Sequence, residues 1–217
     1  AILLALTVLT ATISWNFQGP MMGLISGIGV AAAMISAIAT FGLWIFSWII
    51  KPTPHRAPYT APIYAAGMGF AIGLISQQFE SLFPGIVIQA VSLTFFVAAS
   101  LLLLYKTGVI RPDQNFLLIM ACATLGIFFT YIANVFYAMA TGSSFSIITD
   151  TGLMGIGFSL FVVAIAALNL VLDFDIIEQA AETRAPKYME WFGAMALVMT
   201  LIWLYLEILR LLAKLRS

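Results

Sequence analysis

From Met21 to Ile50 the chain carries no ionisable side chain at all. A run of this kind has few solutions, because a helix needs about 20 consecutive apolar residues to cross roughly 30 Å of hydrocarbon. Comparable runs recur along the chain, and 63% of all residues are hydrophobic while 8% are charged. A soluble domain carries about 25% charged residues, and the mean hydropathy here is +1.08. The sequence therefore reads as an integral membrane protein in contact with the lipid bilayer. The period-2 alternation of a membrane barrel is absent, so the expected class is an all-α bundle whose backbone groups pair within each helix.

Hydropathy and turn residues predict seven spans in a single transmembrane bundle over residues 1–217: about 1–16, 21–50, 62–79, 86–105, 116–140, 152–172 and 191–213. The chain opens on Ala1 inside an apolar run, which reads as a fragment and not as a signal peptide, since no small-residue cleavage site follows a short apolar core. The second span is rich in Gly, Ala and Ser, the residues that let helices approach closely in lipid. Lys51 to Tyr59 is expected to be a loop, by its prolines and its charge. The one histidine, His55, lies in it and is expected to be an ordinary solvated residue, since a pH sensor needs a partner. Thr141 to Thr151 is a polar connection. Cys122 is the only cysteine, so no disulfide can close within the chain and no cysteine-based metal site can be built.

Lysine and arginine set the orientation. Lys51, Arg56, Lys106, Arg111, Arg184 and Lys187 fall in the second, fourth and sixth loops, and none falls in the first, third or fifth. Positive residues favour the cytoplasmic side of short loops, which places the N-terminus inside and the end of the seventh span outside. Arg210, Lys214 and Arg216 then stand on the unexpected side. Either they snorkel to that interface or the last segment stops short of it.

Charges inside a span need an explanation, because each costs about 2.5–3.5 kcal/mol at the helix centre on insertion scales. Glu207 lies in the apolar stretch WLYLEILRLL, with Arg210 three residues on at the spacing of a helical ion pair. Asp173, Asp175 and Glu178 end the sixth apolar run in LNLVLDFDIIE. The ordinary reading is a solvated helix end followed by an amphipathic segment, although aspartate at a helix C-terminus is opposed by the helix dipole. The functional reading is a set of carboxylates that meet at the mouth of the bundle, where mutual repulsion makes protonation possible near neutral pH and hard oxygens are offered to Ca²⁺. As one helix, the residues from Glu190 to Glu207 rise about 25 Å, which sets Glu207 near the opposite face from Asp173. Asn134 and Asn169 are expected to bond helix to helix. Glu80 is expected to be an exposed charge in an outer loop.

Tyr64 to Phe96, YAAGMGFAIGLISQQFESLFPGIVIQAVSLTFF, resembles the signature region of the Bax inhibitor family at Gly73, Ser76, Glu80, Pro84, Ala90 and Thr94. LVLDFDIIEQA is similar to that family's sixth helix, and LYLEILRLLAKL to its last. The resemblance runs from about residue 62 to the end, with residues 1–50 alike only in hydropathy. It implies a seven-transmembrane-helix bundle with the last helix central, in a bacterial inner membrane, acting as a pH-sensitive calcium leak or as an exchanger of calcium ions for protons. It also implies that Asp173 or Asp175 pairs with Glu207 as the pH sensor and ion site. Glu178, Arg210 and Glu80 would be accessory, and Asp173, Asp175 and Glu207 would be the ligands of any bound Ca²⁺. Glutamate stands at 207 where the family usually has aspartate, and residues 21–50 hold no counterpart of the family's basic latch residue.

Two rivals belong to other classes. Some relatives are thought to modulate a membrane protease, so the chain could be a binding partner that transports nothing. An intramembrane aspartyl protease would need two aspartates on facing helices within reach of a shared water, and the expected Gly-x-Gly-Asp is absent, so no enzyme activity is expected. No cofactor is implied beyond Ca²⁺ as a transported or bound ion. Nucleic acid is not an expected partner, since net charge is zero and no basic stripe tracks phosphates.

Overall fold

The computed structural model describes residues 1–17, 57–141 and 145–217. The span expected over 21–50, most of the loop from Lys51, and His55 lie outside the described residues. Elements run in the order α1 (Ile2–Phe17), α2 (Ala57–Leu82), α3 (Ile86–Lys106), α4 (Gln114–Thr141), α5 (Ser146–Thr149), α6 (Leu153–Glu182) and α7 (Tyr188–Arg216). Among the described residues all secondary structure is helical. Among the described residues five helices are long and apolar enough to cross a membrane, and α1 is a shorter apolar helix. Long side chains left exposed on α3 and α4, among them Phe95, Phe96, Leu117, Leu118 and Phe129, match the surface that lipid would cover.

Several boundaries differ from the hydropathy reading, each for a local reason. α2 begins at Ala57, so Ala57 to Tyr59 belong to a helix and not to the loop; Pro58 suits a first helical turn, where an N–H is unneeded. Pro62 also lies inside α2. α4 starts at Gln114 because Asp113 caps it, its Oδ1 accepting from the Phe116 amide at 2.7 Å. The largest difference is α6, which continues to Glu182 instead of ending at Leu172. Apolarity stops at Leu172, but residues 173–182 contain no glycine or proline, so nothing in the backbone ends the helix. It closes where Arg184 takes a left-handed conformation, φ 51°, with Pro186 shortly after.

The chain divides into two compact units, Ala1–Pro84 with Ile177–Met199, and Gly85–Ile176 with Thr200–Ser217. In the first, α1 packs along α2 through a seam of small residues. Gly69 and Gly73 sit one turn apart on α2, and a Cβ at Gly69 would run into the Thr10 hydroxyl, the Thr7 carbonyl and Thr7 Cα, the last at 2.9 Å. At Gly73 it would meet the Ser14 hydroxyl and the Ala11 backbone. This is the small-xxx-small packing that brings helix backbones together in lipid. The hydroxyls of Thr7, Thr10 and Ser14 bond carbonyls of their own helix, so none is left bare in the seam.

In the second unit, Met120 and Ile127 of α4 pack with Val162 and Ile165 of α6, and Tyr131 and Trp203 lie against this cluster. Asn169 Nδ2 donates to Thr124 Oγ1 at 3.0 Å, joining α6 to α4. Asn134 acts differently from the expectation: its Oδ1 accepts from the Phe145 amide at 2.7 Å, pinning the connection that follows its own helix. Phe145 also stacks on Tyr137, ring centroids 4.7 Å apart.

Candidate functional site: buried carboxylates on the last two helices

Thr200, Trp203, Glu207, Arg210 and Lys214 of α7 are separated by three and four residues, the spacings that hold one face of a helix. Each of the five makes a polar contact within the second unit. Together they form a stripe with the acid at its middle and base toward its end.

Glu207 is 2% exposed and is held from three directions. The Tyr131 hydroxyl of α4 lies 3.1 Å from each carboxylate oxygen. Trp203 Nε1, one turn back, donates to Oε1 at 3.2 Å. Arg210 Nη1 donates to Oε1 at 2.9 Å and to Oε2 at 2.8 Å. The same Nη1 reaches the Tyr131 oxygen at 2.6 Å, and the guanidinium carbon stands 5.1 Å from the Tyr131 ring centroid, within cation–π range. The local ion pair anticipated between Glu207 and Arg210 is therefore present, but it is one edge of a triangle that ties α7 to α4.

Lys214, one turn further on, is 8% exposed, and its Nζ donates to the Gly155 carbonyl in the first turn of α6 at 2.9 Å. Gly155 is pressed against the Asp150 carbonyl so closely that a Cβ would collide with it. These contacts give the basic residues of the last helix partners within the protein. α7 runs through Arg216, about 43 Å at 1.5 Å per residue, so it is long enough to cross. Arg210 and Lys214 bond Glu207 and the Gly155 carbonyl, while Arg216 bonds Gln89 Oε1 at 2.7 Å near the exposed end.

Asp173 and Asp175 are not at a helix end. Both lie within α6, and Asp173 is 9% exposed. The Thr200 hydroxyl hydrogen-bonds to its carboxyl, while Asp173 Oδ2 has no hydrogen-bond partner among the described residues. Asp175, two residues and about 200° further round the helix, faces another neighbour: the Tyr105 hydroxyl of α3 donates to its Oδ1 at 3.3 Å. The Tyr105 ring lies 6.1 Å from that of Phe174. Glu178 is exposed, and Glu80 is a partly exposed residue of the last turn of α2, not a loop charge.

Asp173 and Glu207 are thus closer in depth than the span lengths suggested. Asp173 sits beside Thr200, and from Thr200 to Glu207 the helix rises about 10 Å, not about 25. They still do not meet, since Glu207 bonds Tyr131, Trp203 and Arg210. Asp173, Asp175 and Glu207 do not converge as a ligand set either: among the described residues no group of three or more His, Cys, Asp or Glu side chains could hold a metal ion. Thr200, Tyr131, Trp203 and Tyr105 were not singled out from sequence, and Lys214 was marked only as a charge on the unexpected side. The heptad-like spacing on α7 was the available signal for Thr200, Trp203 and Lys214; nothing local marks the two tyrosines.

Compared with known proteins, the chain matches over residues 1–217 the family model described as Bax inhibitor 1 like. A search of curated proteins finds no match.

Proposed function

The chain belongs to the Bax inhibitor 1 like family, and on that premise we propose that it is a seven-span bundle of a bacterial inner membrane, its last helix central, that lets Ca²⁺ cross under the control of carboxylate protonation. It acts as a leak or exchanges the ion for protons. The observation that carries this reading is Asp173, a carboxyl buried within a candidate span with one oxygen unpartnered among the described residues. An ionisable group so placed marks an ion or proton pathway by default. The large buried share of α7, 56% of its span, supports its central place, and the stripe from Thr200 to Lys214 gives it a polar face to present.

In this mechanism the carboxylate of Asp173 accepts from Thr200 when charged and keeps an oxygen available to a cation or a proton. Protonation removes that charge, so the states of the bundle that differ in hydration around Asp173 change in population. Glu207 already has its countercharge in Arg210 and contributes fixed polarity deeper in the same stripe.

Ca²⁺ influx into proteoliposomes at two pH values tests the reading, with Asp173→Asn and Glu207→Gln beside the wild type. Flux that depends on pH in the wild type and loses that dependence in Asp173→Asn is the expected result. Flux that ignores both pH and the substitutions, or no flux at all, overturns it, and the second outcome turns attention to a partner protein such as a membrane protease.

A further inference from the structure

Lys214 is the last buried residue of α7, and it is a charged one. Leu215, Arg216 and Ser217 beyond it are exposed, yet Lys214 is 8% exposed. Among the described residues its ammonium makes one hydrogen bond, to the Gly155 carbonyl at 2.9 Å, and no ion pair. An ammonium carries three donors, and burying one with so few partners is costly. Asp150 lies close enough for its charge to act on Lys214, but its carboxylate lies beside Gly152 and is not bonded to the amine.

What Lys214 holds is the stretch from Phe145 to Gly155, which leads through α5 into α6, all within the second unit. That stretch is fastened at both ends. At its start the Phe145 amide donates to Asn134 Oδ1 at 2.7 Å and the Phe145 ring stacks on Tyr137, which ties it to α4. At its end the Gly155 carbonyl accepts from Lys214, which ties it to α7. Between the two, Ile148 is 9% exposed while Ile147 beside it is 43% exposed, so the short α5 turns one apolar side chain inward. Gly155 is pressed against the Asp150 carbonyl, and a shift at Gly155 is therefore passed back to the residues that follow Ile148.

We propose that residues 145–155 form a lid over the C-terminal end of the polar stripe of α7, with Lys214 as the clasp that keeps it shut. The proposal rests on the transport reading above and adds a point of regulation to it: Asp173 sets the pH response, and the clasp sets how far the other end of the stripe is open to water. A single neutral carbonyl holds an ammonium more weakly than a carboxylate does. The clasp is thus strong enough to favour the shut lid and weak enough to let go.

Cysteine labelling reads the lid directly, because Cys122 is the only native cysteine. In the full chain carrying Cys122→Ser, purified in detergent, Ile148→Cys is expected to react slowly with a water-soluble maleimide. Thr151→Cys, at an exposed position, is expected to react quickly. Adding Lys214→Met should speed the reaction at Ile148→Cys about tenfold, since closure then loses a bond to a charged group, and Lys214→Arg should leave it slow. Gly155→Ala, which forces the Asp150 carbonyl away while Lys214 stays, is expected to act like Lys214→Met and serves in its place should that variant not fold. A rate unchanged by loss of the clasp, or Ile148→Cys as reactive as Thr151→Cys from the outset, overturns the proposal. In proteoliposomes Lys214→Met is expected to raise Ca²⁺ flux with its pH dependence kept; faster labelling beside unaltered flux overturns the gating role. Labelling needs no transport, so a wild type without flux refutes the transport reading alone, and the clasp is then judged by labelling.

Discussion

Tyr131 on α4 and Glu207 on α7 are joined by a hydroxyl placed 3.1 Å from both oxygens of the carboxylate. That contact bridges helices far apart in sequence and gives the buried acid a neutral partner beside its charged one. Removing the hydroxyl with Tyr131→Phe takes one bond from a charged group, an interaction worth about 1.5–3 kcal/mol. The expected result is a lower unfolding midpoint in detergent with helix content unchanged, followed by circular dichroism.

Glu207 and Arg210 should behave as a unit. Glu207 is buried while the Arg210 side chain is 37% exposed, so deleting the arginine strands a buried charge at a cost below the about 3–5 kcal/mol of a fully buried pair, while replacing both with packed uncharged groups is often close to neutral. Arg210→Met is therefore expected to destabilise, and the double variant Glu207→Gln, Arg210→Met to lose less than the sum of the single losses. A double-mutant cycle of unfolding midpoints measures this coupling; additive losses would show that the pair acts as two independent groups.

Asp173 is predicted to trade stability for function. Its carboxyl is desolvated with one oxygen unpartnered among the described residues, an arrangement unfavourable to folding unless it serves another purpose. Asp173→Asn should leave thermal stability at neutral pH equal to that of the wild type or above it, while the pH dependence of flux is lost. A drop of several degrees in melting temperature with pH dependence intact would assign Asp173 a structural role instead.

Much of this arrangement could be read from the chain, and the parts that could not have identifiable causes. The five long apolar helices among the described residues follow from hydropathy because lipid imposes a length on every crossing. The candidate acids stand out because charge is scarce, and the ion pair at 207 and 210 follows from helical spacing. The end of α6 was misplaced because hydropathy reports where lipid ends, not where a helix does; residues 173–182 are polar enough for the interface yet entirely helix-compatible. Tyr131 and Tyr105 were invisible for another reason. Tyrosines occur throughout membrane helices at interfaces and in packing, and only the folded arrangement brings these two to Glu207 and Asp175.

The seam between α1 and α2 gives a prediction with an internal control. Leucine at Gly69 or Gly73 must displace the backbone of α1 near Thr7 or Ala11, so each is expected to lower accumulation in membranes and the melting temperature. Alanine at Gly126 or Gly157, where nothing lies within 4 Å, should be neutral or stabilise by about 0.4–1 kcal/mol through reduced freedom of the unfolded chain. Equal losses at all four positions would remove close packing as the explanation.

The unbroken course of α6 through Asp173 and Asp175 has a mechanical consequence. Two residues along a helix are about 200° apart around its axis, so one rod carries the two carboxyls on nearly opposite sides, one against Thr200 and the other against Tyr105. Like two throws of a crankshaft, they keep a fixed phase, and any roll of α6 out of this position loosens both contacts together.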